Sequence, residues 1–574
     1  MAVSEKSKSA VATANELGTN EKPKRSPLVG LILVIILAGS GFLYYAAISP
    51  QRFGRGHDDS VYLTTAKALA TGEGYRIISL PYQPAQTKYP PFYPLILSVV
   101  WRLYPSFPEN LPWMMLLSSA AAVGFLALSY KYLVEQQYSL PWQALLAVGL
   151  TAVNWRLVTL ATSVYSEMVY ALLSIAVLYL AEKYEKKKAA MLGVTALSSL
   201  AGLAFLTRSI GVALIASVCV YYATRKEWRK SLMVAGIGGV FIIGWFAWCR
   251  ANRTTFDGIN VAYYTDYWRD LSETVTGMQN TSHMPRFLVF ANVIGRNAIL
   301  LILLSIPVVC LGISYDAVLY FGFAFIFVAA GFIRQIRKGL RLLHIYIILF
   351  LLLTLPIPGS YDRYLIPLLP FLLLYFITEV GALISLVRKQ VLEGKMSNRI
   401  SAGFIGLALV IAIGIAGYNY ASETYWRLDA SSLTKTIRPA KEDAEVLRWI
   451  SENTNPTDVL ISYRDLLYYL YTGRQGAQSV FFRYGGYIPT DNETLDERVE
   501  QVLRIIDESN ARYLITNPSD FDSEFNPPLQ RATLKKFVER HPEIFVPVFR
   551  SSDLNSAVYR VEGTLTPSTD RTSR

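Results

Sequence analysis

Residues 27–48 read PLVGLILVIILAGSGFLYYAAI, a run without a charged side chain, and residues 56–60 just beyond it read GHDDS. An uncharged apolar run of about twenty residues is what crosses roughly 30 Å of hydrocarbon. A polar stretch ending in Lys22, Lys24 and Arg25 comes first. That order fits a signal anchor, because a cleaved signal peptide starts near the N-terminus with a shorter apolar core. The same cations put residues 1–27 on the cytoplasmic side as a disordered tail.

The chain has 574 residues, 52% of them hydrophobic, and the apolar ones come in long blocks instead of the short runs of a soluble core. Blocks at about 112–134, 141–160, 163–183, 190–207, 209–224 and 231–249 read as spans. Between them, the basic clusters at 183–188 and 225–230 fall on alternate ends, the same side as the tail, as the positive-inside rule requires. The loop 49–111, which holds GHDDS, and the loop 250–286 therefore face outward.

The region 286–340 is decided by parity. If both apolar pieces, 298–313 and 316–333, were spans, the basic cluster 334–338 would lie outside; an interfacial or re-entrant first piece, with Pro307 inside it, returns that cluster to the cytoplasm. Spans at 341–357, 363–385 and 401–419 then complete eleven transmembrane helices, with thirteen as the rival count. The expected class is an α-helical multi-pass membrane protein with its membrane domain over 28–420.

From about residue 421 charges become frequent and apolar runs shorten. Helices at 441–452, 465–471, 496–508 and near 531–540 alternate with strands at 458–462, 478–482, 512–516, 544–550 and 556–561. This predicts a soluble extracytoplasmic α/β domain over 421–562, followed by a disordered tail at 563–574. The formal charge of +12 sits largely in the inner loops, where an anionic leaflet accounts for it; no nucleic-acid motif accompanies it. Cys219, Cys249 and Cys310 lie in or beside spans without metal-ligand spacing, so they read as small core residues.

Asp58 and Asp59 open a helical segment that stops at Gly72 and Gly74. One of them has an ordinary role available as a helix cap, worth about 1 kcal/mol; Asp59 suits it better. Asp58, beside a second carboxylate at a membrane surface, has a neighbour able to raise its pKa toward that of a useful base. His57 could tune the pair or bind a metal, and its ordinary role is a hydrogen-bonded bystander. Lys88 precedes Tyr89-Pro90-Pro91 and an apolar run to Tyr104 that is too short to span. It would meet lipid phosphates there or simply snorkel to head groups. Glu167, Arg208 and Arg363 all fall at the outer boundary, and cations and carboxylates converging on one face suit an anionic lipid donor.

The ordered set resembles integral-membrane glycosyltransferases of the GT-C type, and within them the bacterial relatives of protein O-mannosyltransferases and of the aminoarabinose transferase acting on lipid A. The residues that carry it are Asp58-Asp59 with Tyr62, Ala66 and Gly72; Lys88-Tyr89-Pro90-Pro91-Phe92-Tyr93; Ser166-Glu167; Thr207-Arg208; and Arg363-Tyr364-Leu365-Ile366-Pro367 with Pro370. It covers about residues 28–420. It implies Asp58 as catalytic base, Glu167 as a second acidic residue at the site, and Lys88 and Arg363 near the donor phosphate; the reading of the residues adds Asp59 to the catalytic set, Arg208 to the phosphate-binding set, and His57, Tyr62, Tyr89 and Tyr364 as auxiliary or acceptor-side groups. The resemblance further implies a polyprenyl-phosphate sugar donor, a hydroxyl acceptor, inversion at the anomeric carbon and a plasma-membrane location. Where such enzymes often have Asp-Glu, this chain has Asp58-Asp59, and a tyrosine separates Lys88 from the proline pair.

No cofactor is called for by these residues, and a divalent metal stays open. A metal-dependent oligosaccharide transferase acting on a pyrophosphate lipid would use Asp58, Asp59 and Glu167 as ligands. A lipid or glycan transporter would carry inverted repeats and mid-membrane charges, whereas here the charges gather at the boundary.

Overall fold

The computed structural model describes residues 27–54, 57–185, 191–253, 286–312, 324–357, 362–393, 440–478, 503–517 and 541–562, together with Thr265, Val538 and scattered positions between 400 and 425. The loop 250–286, the helix near 531–540 and both terminal tails fall wholly or mostly outside the described residues, and the expected span at 401–419 is described only at scattered helical positions.

Most of the chain is a helical bundle. Pro27–Ala47, Leu111–Glu135, Trp228–Ala251, Phe290–Leu311 and Asp362–Leu392 are long and apolar enough to cross a membrane. A sixth such run, Pro141–Val153 with Trp155–Ala161, is bent by 63°. Asn154 makes that break: its side chain accepts from Arg156 N at 3.1 Å, capping the second helix, and donates to Val309 O at 2.9 Å. The blocks read as spans at 190–207, 209–224 and 341–357 form helices Met191–Thr207, Val212–Thr224 and Leu342–Thr354. At 1.5 Å per residue Leu342–Thr354 falls well short of about 30 Å, while Met191–Thr207 begins at the edge of the described residues.

Phe290–Leu311 contains a π turn, Leu301–Ser305, just before Pro307, whose missing N–H breaks the regular ladder. It starts eight residues earlier than the apolar piece read from the sequence, and its length alone would let it cross. Both ends are nevertheless tied to one half of the bundle. Asn297 donates to Leu355 O at 2.7 Å, and Val309 meets Asn154.

The two ends of the bundle differ in chemistry. At one end Arg341 donates to Glu182 Oε2 at 2.9 Å, Tyr138 OH donates to Glu182 Oε1 at 2.6 Å, and Lys230 donates to Tyr184 O and Glu185 O. The other end gathers the C-terminus of Pro27–Ala47, the N-terminus of Glu167–Glu185, the C-terminus of Met191–Thr207 and the start of Asp362–Leu392, under the helices Asp58–Thr71 and Phe92–Leu103. The first of these two stops at Gly72, whose φ of 85° is the left-handed C-cap.

The C-terminal region has helix Ala440–Asn453 and a five-stranded sheet with β1 Val459–Ser462, β2 Gly476–Gln478, β3 Ala511–Thr516, β4 Phe545–Arg550 and β5 Ala557–Val561. The order is β2-β1-β3-β5-β4; β1 pairs in parallel with β2 and β3, and β5 runs antiparallel to β3 and β4. Helix Asp465–Thr472, which follows β1, joins this sheet to the bundle, with Leu466 packed among Val61, Ile77 and Leu80.

Candidate active site

Four helix ends and one loop bring the charged residues together. Arg363, in the first turn of Asp362–Leu365, is the hub: its Nη1 lies 2.7 Å from Asp58 Oδ2, and its Nε is bonded to Glu167 Oε1. The same Glu167 oxygen is 2.8 Å from Arg208 Nη1, at the end of Met191–Thr207. Arg208 also donates to Ser166 Oγ at 3.1 Å, which in turn is 3.0 Å from Tyr62 OH. Tyr89 OH donates to the other Asp58 oxygen at 2.6 Å. Two carboxylates and two guanidinium groups thus form one neutral cluster.

Exposure separates the two carboxylates. The Glu167 side chain is 1% exposed and Asp58 21%, with Arg363 at 27%, so Asp58 is the carboxylate a substrate can reach. Among the described residues, Glu167 Oε2 and Arg363 Nη2 are buried without a hydrogen-bond partner. The aromatic residues shape the walls: Arg363 lies over the Tyr165 ring at 4.5 Å and Arg208 over Tyr364 at 5.2 Å. Tyr62 packs edge-on against Tyr89 and Tyr93. Lys88 is half-buried, its Nζ 5.6 Å from the Tyr89 ring.

Asp59 is turned elsewhere. Its Oδ2 accepts from Gly54 N at 2.8 Å and its Oδ1 from Ser60 N at 2.7 Å, so it satisfies amides of the first turn from inside the helix. The cap position itself belongs to His57, whose φ of 58° and ψ of −50° are strained for a residue with a side chain, at a cost of about 1–3 kcal/mol. The His57 ring is buried and stands edge-on to Tyr463 at 4.7 Å.

Environment shifts the three neighbours His57, Asp58 and Asp59 differently. Burial lowers His57 to about 4, which keeps it neutral near pH 7. Asp58 is pushed upward by burial, but the Arg363 guanidinium and the Tyr89 hydroxyl together hold it below its ordinary value. Burial raises Asp59 to about 6, against the downward pull of the Gly54 and Ser60 amides. Among the described residues no three His, Cys, Asp or Glu side chains converge as a metal set; Asp59 faces backbone amides, while Asp58 and Glu167 share Arg363.

Residues 87–356 match the model of glycosyltransferase family 87. That match makes the chain a glycosyltransferase, and its fold is GT-C-like. ArnT from Cupriavidus metallidurans in the apo state is similar in structure at a TM-score of 0.52 and 13% identity, over 93% of this chain and 98% of that one. The Archaeoglobus fulgidus oligosaccharyltransferase in the apo form is similar at 0.52 and 13% identity, over 96% of this chain and 76% of that one. ArnT bound to undecaprenyl phosphate gives a TM-score of 0.51 at 13% identity, over 93% of this chain and 98% of that one. At such identity the likeness is one of fold, and no curated protein matches the sequence.

All ten residues singled out in the sequence of this glycosyltransferase lie in or beside the cluster, but not equally. Asp58, Glu167, Arg208, Arg363, Tyr62 and Tyr89 are joined through ion pairs and hydrogen bonds, directly or through Ser166, whereas Lys88 and Tyr364 approach through ring contacts. Sequence reasoning missed Ser166 as a bridge, Tyr165 under Arg363, and the ion pair of Arg156 with buried Asp362 beside the hub. It also missed Tyr463 and Arg464, some four hundred residues from GHDDS. Only proximity in the fold reveals those two; nothing in their local sequence marks them.

Proposed function

We propose that the protein transfers a sugar from a polyprenyl-phosphate donor to a hydroxyl acceptor on the outer face of the membrane, with inversion at the anomeric carbon and Asp58 as base. The observation that carries this reading is the Arg363 bridge, which joins an accessible carboxylate to a buried one at the end of the bundle beneath the soluble domain. A sugar on a lipid phosphate has a leaving group that departs as an anion, so the site needs one base and a cationic clamp, without the acid of a glycosidase. The acceptor oxygen attacks the anomeric carbon from the side opposite the phosphate. Asp58 takes its proton, and the anomeric C–O bond breaks with its electron pair leaving on the phosphate oxygen.

Arg363 and Arg208 stabilise that charge, with Lys88 as the third cation, electrostatic help typically worth about 3–4 kcal/mol per group. Arg363, 27% exposed, presents its guanidinium edge to a phosphate oxygen, while buried Glu167 holds Arg363 and Arg208 in place. A donor phosphate that draws on Arg363 also loosens its hold on Asp58, which strengthens the base as substrate arrives. The outward orientation rests on the basic clusters at the opposite end of the bundle. The neighbour bound to undecaprenyl phosphate supports a lipid carrier of this class.

The test is a donor panel on the purified protein in nanodiscs. Polyprenyl monophosphate sugars should turn over, releasing polyprenyl phosphate with an inverted product. Turnover confined to pyrophosphate-linked glycans would favour the oligosaccharide-transferase reading instead.

A further inference from the structure

The loop that carries the base is held from outside the membrane domain. Arg464, in the turn between β1 and helix Asp465–Thr472, is buried, and its Nε donates to Gly54 O at 3.3 Å. Its own backbone N–H donates to Ser462 Oγ at 3.1 Å, which fixes the turn. Gly54 then donates its N–H to Asp59. Two further contacts converge on the same few residues. Tyr463 packs edge-on against His57. Leu467 lies so close to Gly54 that a Cβ there would stand 2.6 Å from its Cδ1, and the Gly54 φ of +82° already excludes most side chains.

These contacts bear on which carboxylate faces Arg363. Asp58 and Asp59 are consecutive in a first helical turn, where neighbouring side chains diverge by about 100°. A rotation of that turn by about 100° would present Asp59 to the guanidinium and carry Asp58 away, and a smaller one would already misplace Asp58. The Gly54 amide on Asp59 opposes this rotation, and Gly54 is in turn held by Arg464. His57, between them, keeps a strained conformation that needs surroundings to hold it; Tyr463 is part of those surroundings.

We propose that Arg464 is a positioning residue for the base: the C-terminal sheet domain, through Arg464 and Tyr463, holds Gly54 and His57 so that Asp58, not Asp59, faces Arg363. The domain is then part of the catalytic apparatus. This rests on the proposed role of Asp58, and the test separates the two.

The full-length protein in nanodiscs would be compared as wild type, Arg464→Ala, Arg464→Lys and Trp449→Ala. The last loosens the stacking of Trp449 on Phe549 in the same domain, away from the loop. For Arg464→Ala we expect kcat about 10 to 100-fold lower, since a misplacement near 1 Å can cost that much, with donor KM within about twofold. Arg464→Lys, which keeps a donor, should recover much of the loss. Hydrogen exchange of the Gly54 and Ser60 amides should rise in Arg464→Ala alone. Unchanged kcat and exchange in Arg464→Ala would overturn the proposal. So would an equal loss in Trp449→Ala with no rescue by lysine, which marks domain stability only. If the wild type transfers nothing from polyprenyl-phosphate sugars, the functional reading fails, while the exchange comparison still decides the clamp.

Discussion

One guanidinium serves two carboxylates at Arg363, and this sharing sets the chemistry of the site. Because Arg363 and Tyr89 hold Asp58 below its ordinary value, the base is ionised throughout the neutral range and is lost only in acid. Removing a group that lowers a pKa raises it, so Tyr89→Phe should move the acid limb of the kcat/KM profile to higher pH, with a loss of several-fold at neutral pH. Arg363→Lys keeps a charge but cannot hold both carboxylates in one plane, and kcat should fall by about 10²-fold. Asp59 behaves oppositely. A carboxyl raised to about 6 makes the folded state bind more protons than the unfolded chain between pH 4 and 6, so its contribution to stability falls as pH rises through that window. His57, lowered to about 4, opposes it, because its stabilising contribution falls as pH drops from 6.5 toward 4. The difference between wild type and Asp59→Asn therefore isolates the Asp59 component. The melting temperature of Asp59→Asn relative to wild type should rise with pH over that window; a pH-independent difference would contradict the assignment.

At the scale of elements, the bundle is fixed by polar locks at both ends. Asn154 joins the two halves of a bent span and reaches across to Val309. Asn154→Ala should cost about 1–2 kcal/mol of stability by removing a cap and a buried hydrogen bond, read as a lowered melting temperature in detergent. Glu182, buried at the opposite end between Arg341 and Tyr138, is a stronger lock. Breaking such a pair from one side typically costs about 3–5 kcal/mol, so Arg341→Ala should destabilise the protein while leaving donor KM unchanged. Much of this scale was legible in the sequence. Long uncharged runs gave the long helices, and alternation gave the strands of the C-terminal sheet, with β1 and β3 starting within one residue of expectation. The length of Leu342–Thr354, three residues shorter at its end than the apolar block 341–357, was less legible, because apolar content does not distinguish a helix facing lipid from one buried among helices. The π turn before Pro307 was signalled only as a proline inside an apolar run.

For the whole molecule, the site exists only as an assembly. GHDDS, Ser166-Glu167, Thr207-Arg208 and Asp362-Arg363 could be picked out one by one because charges at the boundary of apolar blocks are rare enough to stand out. What no local pattern could supply was the pairing among them: that Arg363 bridges Asp58 and Glu167, that Asp59 turns to Gly54, and that Arg464 arrives from the distant sheet. Those follow from tertiary contacts between residues far apart in the chain. The arrangement also bears on metal dependence. With the carboxylates committed to arginines and amides, sugar transfer should proceed at an unchanged rate in a chelator; a rate restored only by a divalent cation would favour the rival pyrophosphate-lipid reading.

The most direct test sets the two neighbouring aspartates against each other. Asp58→Asn and Asp59→Asn, both verified as folded in nanodiscs, would be assayed for sugar transfer from a polyprenyl-phosphate donor. The account predicts that Asp58→Asn loses about 10² to 10⁴-fold in kcat, the range for removing a general base, while Asp59→Asn keeps most of its activity. Wild-type turnover in Asp58→Asn, or a silent Asp59→Asn beside an active Asp58→Asn, would contradict it.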